Sequence, residues 1–127
     1  MYEITVRDTF NALHRVRLAD GQWEPVHGHD WQVVVAVAAD ELDQDGMVAD
    51  FVEVRSALRD TLARLQYAYL NELPMFGRDV ATAERVARVC HDALSRQDRW
   101  GGKVRYVEVI EAPGCTARYV SGGATSA

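Results

Sequence analysis

His27-Gly28-His29-Asp30-Trp31-Gln32-Val33-Val34-Val35-Ala36-Val37-Ala38-Ala39 is the stretch on which the fold is read. Two histidines at i, i+2 are followed by an almost unbroken apolar run. Residues 29–39 are expected to form a strand. Val33, Val35 and Val37 fall on one face and Val34 and Ala36 on the other, so both faces are expected to be covered. Alternation also puts the imidazoles of His27 and His29 on one face at the strand's start. Gly28 between them adds no side chain to crowd them.

On the N-terminal side, residues 1–17 read as another strand, because Tyr2, Ile4 and Val6 alternate with Glu3, Thr5 and Arg7. The alternation shifts near Phe10–Ala12, where a bulge is expected. Ala19-Asp20-Gly21 marks a turn. On the C-terminal side, Asp40–Gly46 is a polar loop. Residues 51–66 carry the helical stripe Val54, Leu58, Leu62 and Leu65, with Asp50 placed to cap it. A connection over 67–81 holds Pro74 and Gly77. Thr82 then opens a second helix as N-cap, with Glu84 in the first turn. Val86, Val89, Cys90, Ala93 and Leu94 make its apolar stripe, and its end is expected near 98–102. Residues 103–111 form a third strand, with Val107, Val109 and Glu111 on one face and Val104, Tyr106 and Ile110 on the other. Residues 115–120 form a short fourth.

The order ββααββ predicts an α+β fold: an antiparallel sheet with two helices packed on one face. The chain's 127 residues, 48% hydrophobic and 26% charged, fit a single domain over 1–120. A small polar tail, 121–127, is expected to fray. The net charge of −5 and pI near 5.3 come without any basic stripe, which argues against nucleic acid as a partner. Cys90 reads as a buried small apolar residue and Cys115 as a free thiol in a turn-like stretch. Both suit a reducing cytoplasm. No apolar run suggests a signal peptide or a membrane span.

A third histidine, His14, lies late in the first strand. Antiparallel pairing of the two strands would bring it beside His27 and His29. Three neutral imidazoles with a fourth position open are the donor set of a catalytic rather than a structural zinc. His91, on the second helix, has no partner at useful spacing and is expected to be a surface or partly satisfied histidine.

With these residues in view, the chain resembles the 6-pyruvoyl-tetrahydropterin synthases and the related 6-carboxytetrahydropterin synthases over almost its whole length. The shared elements are Phe10 to His14 as Phe-x-x-x-His, His27-Gly28-His29, Gly46-Met47-Val48-Ala49-Asp50-Phe51, Tyr69-Leu70-Asn71, Thr82-Ala83-Glu84 and Glu111. The six elements stand in the family's order and at its spacing, with Ala81 where the family has proline. The resemblance implies the T-fold, in which oligomerisation joins four-stranded sheets into a barrel, as a trimer or a hexamer of two trimers. It implies Zn2+ on His14, His27 and His29, a pterin or related heterocycle as small-molecule substrate, Glu111 as acceptor for that heterocycle's amino-pyrimidine edge, and help from Thr82 of a neighbouring subunit.

The resemblance stops at the acid–base residues. Trp23 stands where the family has its cysteine base. Gln66 and Tyr67 stand where it has an Asp-His pair. Glu24 is the candidate replacement, because Glu24-Pro25-Val26-His27-Gly28-His29 fits the Glu-x-x-His-Gly-His string of a variant branch of the family. Tyr67 is a second candidate, provided its phenol is driven well below its usual pKa of about 10. The alternatives are a solvated loop carboxylate for Glu24, a charged strand end for Glu111 and an aromatic packed at a helix end for Tyr67. For the chain they are a zinc lyase or isomerase with altered relays, an inactive zinc- and pterin-binding homologue, or a structural subunit stiffened by metal.

Overall fold

A computed structural model describes residues 1–77 and 80–122. The element order is β1 (Tyr2–His14), β2 (His27–Ala39), α1 (Phe51–Ala63), α2 (Ala83–Leu94), β3 (Val104–Ala112) and β4 (Cys115–Val120), with short 3-10 turns at Leu70–Glu72, Pro74–Phe76 and Gly101–Lys103. The four strands form one antiparallel sheet in the order β1-β2-β3-β4. This is the ββααββ, α+β arrangement that the sequence predicts. No helix among the described residues is long and apolar enough to cross a membrane. Most of the expected tail, 123–127, lies outside the described residues.

Both helices bury their stripes against the face of the sheet that carries Val6 and Phe10 of β1, Trp31, Val33, Val35 and Val37 of β2, and Val107 and Val109 of β3. Val54, Leu58 and Leu62 of α1 and Val86, Cys90 and Leu94 of α2 complete this core. Burial drives the Cys90 thiol up to about 12, so it behaves as a small apolar side chain. Val34 and Ala36 are buried too, but on the opposite face, outside the core. Their register partners there are Arg7 and Glu108, and Thr5 and Tyr106. Cys115 is a free, exposed thiol that opens β4 rather than lying in a turn.

Several expectations are corrected. β1 has no bulge at Phe10–Ala12; its register with β2 runs unbroken from Tyr2↔Ala39 to His14↔His27. The shift of pattern there reflects Ala12 and His14 occupying core positions, not an extra residue. The irregularities lie instead in β3, between the pairs Ala36↔Tyr106 and Val37↔Val104, and near Ala112. The first of these turns Val104 into the core, although alternation puts it on the other face. β1 ends at His14, three residues early, because the Asn71 side-chain amide takes both backbone groups of Arg15: Oδ1 accepts from its N–H at 3.0 Å and Nδ2 donates to its carbonyl at 2.9 Å. α1 stops at Ala63 because the chain must turn back over β1, reaching a positive φ of 59° at Tyr67. α2 stops at Leu94. Gly101 packs so closely behind its end that an added Cβ would lie 2.4 Å from the Ser95 carbonyl oxygen.

His91 is buried and satisfied, with Asp92 beside Nδ1 and the Ser121 hydroxyl beside Nε2. Ser121 also donates to the Val104 carbonyl.

Leu58 is fully buried and Val52, on the same helix, is 71% exposed. Leu58→Ala is expected to cost about 2–5 kcal/mol of stability and Val52→Ala less than about 0.5 kcal/mol, both read from denaturant midpoints. Equal losses would mean that α1 packs by a different face.

Candidate metal centre

The histidines are positioned by the β1–β2 ladder. His14 pairs directly with His27, and His29 lies one pleat further on, opposite Ala12. All three rings therefore stand on the core face, at the end of the hairpin where the helices no longer cover it. The ring centroids are 4.7 Å apart for His14–His27, 5.0 Å for His14–His29 and 4.6 Å for His27–His29. One nitrogen from each ring lies within 4.8 Å of the others. The convergence read from the sequence is present.

Backbone carbonyls set the ring orientations. His14 Nδ1 lies 2.7 Å from the Ala81 carbonyl oxygen and His27 Nδ1 lies 2.8 Å from that of Pro25. A carbonyl only accepts, so each Nδ1 carries the hydrogen and each Nε2 is left with a lone pair. This orientation by the second nitrogen is how ligating histidines are held for a metal. Trp31 supports the cluster from below. Its ring stacks on Phe10 at 5.8 Å and meets His14 and His29 edge-on at 4.7 and 5.3 Å, while Nε1 donates to the Ala12 carbonyl.

His14 Nε2 and His29 Nε2 are buried and, among the described residues, have no hydrogen-bond partner. Buried polar atoms are rarely left so without a ligand to satisfy them. Three converging imidazoles, two of them with their tautomer set by a backbone carbonyl, fit a divalent metal ion.

Two carboxylates flank the cluster. Glu24 is held in the small hairpin that joins β1 to β2: its N–H donates to the Val16 carbonyl, and its Oε1 accepts from the Val16 N–H at 3.0 Å. The same Oε1 lies 3.6 Å from His27 Nε2. A freely solvated loop carboxylate is therefore not what the fold makes of Glu24. On the other side, Glu111 Oε1 lies 3.3 Å from His14 Nε2 and 3.9 Å from His29 Nε2. His29 lines two cavities, of about 440 and 530 Å³, the first also bordered by Asn11, Asp30 and Tyr67, the second by Gln32, Ile110 and Glu111. Gly28 borders both, and its bare Cα faces Leu13 on the opposite side of the strand from the imidazoles. It thus keeps the cavity floor open rather than making room for the rings.

Tyr67 is 82% exposed and borders the smaller cavity, so it is not packed at the helix end. Its N–H donates to the Asn11 carbonyl, and Gln66 Oε1 accepts from the Asn11 N–H. Gln66 thereby ties the segment to the edge of β1. Thr82 caps α2 by accepting from the Arg85 N–H, and the neighbouring Ala81 carbonyl is the one that holds His14. Trp23 lies under the guanidinium groups of Arg15 and Arg17, at 4.4 and 5.2 Å. Among the described residues it makes no ring contact with the histidines. Ala81, Asn71 and Trp31 had no assigned role in the sequence. Asn71 lay inside Tyr69-Leu70-Asn71 and Ala81 at the proline position before Thr82-Ala83-Glu84, whereas no motif marked Trp31.

The family model described as 6-pyruvoyl tetrahydropterin synthase matches residues 3–121. A 6-carboxy-5,6,7,8-tetrahydropterin synthase from Synechocystis sp. is 32% identical over 127 residues, covering 95% of each chain. The structure of Caenorhabditis elegans 6-pyruvoyl tetrahydropterin synthase superposes with a TM-score of 0.82 at 20% identity, covering 95% of this chain and 96% of that one. A Plasmodium vivax 6-pyruvoyltetrahydropterin synthase, in a form where a glutamate described as a catalytic residue is replaced by alanine, superposes with a TM-score of 0.66 at 16% identity, covering 93% and 96%.

Burial is the main cause that holds His29 below the ordinary histidine value of 6.5. Glu111 pulls the other way, His14 and His27 push further down, and Glu24 opposes them weakly. The unfolded chain thus binds this proton more readily than the folded one. Stability of the metal-free protein is then intact above about pH 6.5 and lost as the pH falls toward the folded value. Denaturant midpoints measured from pH 8 to pH 5 with a chelator present should fall below about pH 6.5, and fall less in His29→Gln. A midpoint that rises on acidification would contradict this environment for His29.

Proposed function

The chain belongs to the 6-pyruvoyl tetrahydropterin synthase family, and from that premise we propose that it is a zinc-dependent lyase or isomerase acting on the side chain of a pterin or related heterocycle. It works in the cytoplasm as a homo-oligomer, a trimer or hexamer whose sheets join into a barrel. The observation that carries the reading is the meeting of three imidazole nitrogens with a carboxylate on each side.

Zinc held by His14, His27 and His29 would supply a Lewis acid for oxygens on the substrate's side chain. The protein's own residues do the rest. Glu24 is the base. Its Oε1 is oriented by the Val16 N–H and lies 3.6 Å from His27 Nε2, and the carboxylate would take up and return the proton there. Support for a glutamate in this role comes from the Glu-x-x-His-Gly-His string and from the Plasmodium vivax relative, whose own catalytic residue is described as a glutamate. Glu111 accepts two N–H donors from the amino-pyrimidine edge. Thr82 of a neighbouring subunit assists. Tyr67, exposed and bordering a cavity that His29 also lines, would pass protons to solvent.

A second reading, an inactive homologue that binds zinc and a pterin, is favoured by Trp23, Gln66 and Tyr67 standing where the family has its cysteine and Asp-His pair. Incubation with dihydroneopterin triphosphate, followed for a new pterin, separates the two. Tight binding without product supports the inactive homologue.

If the protein turns over, Glu24→Gln is expected to lower the rate by about 10²–10⁴-fold while bound zinc stays at one equivalent. Turnover that survives the substitution removes Glu24 as the base. Glu111→Ala should abolish pterin affinity, measured by fluorescence quenching, and unchanged affinity would remove it as the anchor.

A further inference from the structure

Glu111, next to last in β3, has its carboxylate turned into the histidine cluster. Among the described residues it takes no hydrogen bond, and its ion-pair neighbours there are His14 Nε2 at 3.3 Å and His29 Nε2 at 3.9 Å. The hydrogen of His14 is committed to the Ala81 carbonyl, so a neutral His14 offers only a lone pair toward Glu111. Two acceptors 3.3 Å apart repel, and His14 is 1% exposed, so water does little to screen them. A cation between them removes the repulsion.

Three imidazoles in mutual ring contact and one carboxylate are gathered here. A divalent ion satisfies all of them together. Metal–nitrogen and metal–oxygen bonds of about 2.0–2.2 Å in a tetrahedron put neighbouring donor atoms about 3.3–3.5 Å apart. The separation of Glu111 from His14 already has that length and its separation from His29 exceeds it by about half an ångström, while Glu111 must still close on His27, with which it has no polar contact among the described residues. Glu24 differs, because its nearest oxygen already accepts the Val16 N–H and faces one histidine rather than two.

We propose that Glu111 is the fourth ligand of the histidine site while no substrate is bound, and that it must leave the metal to receive a pterin. The inference rests on the zinc and pterin reading above and deepens it. The heterocycle draws the carboxylate onto its N–H donors, and only then does the fourth position become available to the side chain. Recognition of the ring and opening of the metal become one event. A small hydroxy-ketone without the heterocycle is thereby kept from the metal.

The test uses the full chain loaded with Zn2+ or Co2+. In competition with a chromophoric chelator, Glu111→Gln is expected to bind Zn2+ at least about tenfold more weakly than the wild type, and Glu24→Gln within about twofold of it. The visible absorption of the Co2+ form should change in Glu111→Gln. It should also change when pterin (2-amino-4-oxopteridine) saturates the wild type. Zn2+ affinity within twofold in Glu111→Gln, with an unaltered Co2+ spectrum, overturns the proposal. If pterin affinity is nevertheless lost in that variant, the anchor role stands and only the ligand role falls. A wild type that binds no divalent ion, or no pterin, removes both readings. Should Glu111→Gln fail to fold, the pterin titration of the Co2+ wild type decides: a band that does not move on saturation overturns the proposal.

Discussion

The unbroken antiparallel pairing of β1 with β2 is the constraint on which the rest of this molecule depends. It sets His14 against His27 and carries His29 one pleat further along the same face. A slip of one residue would send one strand's imidazoles to the opposite face and separate them. The same ladder supplies the core face, where Phe10 and Trp31 stack and the valines of β2 meet both helices. The burial that stabilises the sheet and the convergence that builds the site therefore come from one register.

Around that ladder, loop segments hold single atoms in place. Asn71 grips the backbone of Arg15 just beyond His14. The carbonyls of Ala81 and Pro25 fix which nitrogen of His14 and His27 faces inward. Val16 holds Glu24 by both its backbone and its carboxylate. Each contact is one or two hydrogen bonds, worth about 0.5–1.5 kcal/mol apiece, which is small beside the burial of the core. Their value lies in orientation. A ligating or proton-transferring group is useful only when it is held close to its working geometry.

Glu24 and Glu111 show how environment separates like groups. One is engaged by a backbone N–H and stands beside a single imidazole. The other accepts no hydrogen bond among the described residues and faces two imidazoles. Identical carboxylates so placed have different work open to them: one positioned toward protons, the other toward a cation or toward N–H donors on a ligand.

Periodicity was enough to give the strands, both helices and their order, because the apolar residues recur at two or at three to four and only one fold class buries all of those faces. The caps at Asp50 and Thr82 and the placing of three histidines on one face were legible for the same local reason. What only the tertiary structure decided was anything that depends on atoms far apart in the chain. Examples are the early end of β1, which Asn71 imposes from 56 residues away, and the inward turn of Val104, which follows a bulge set by β2. Others are the tautomer of His14, set by Ala81, and the position of Trp23 beneath two arginines rather than among the histidines. A sequence states which faces seek burial; which lone pair is left without a partner is settled only when distant backbone groups arrive beside it.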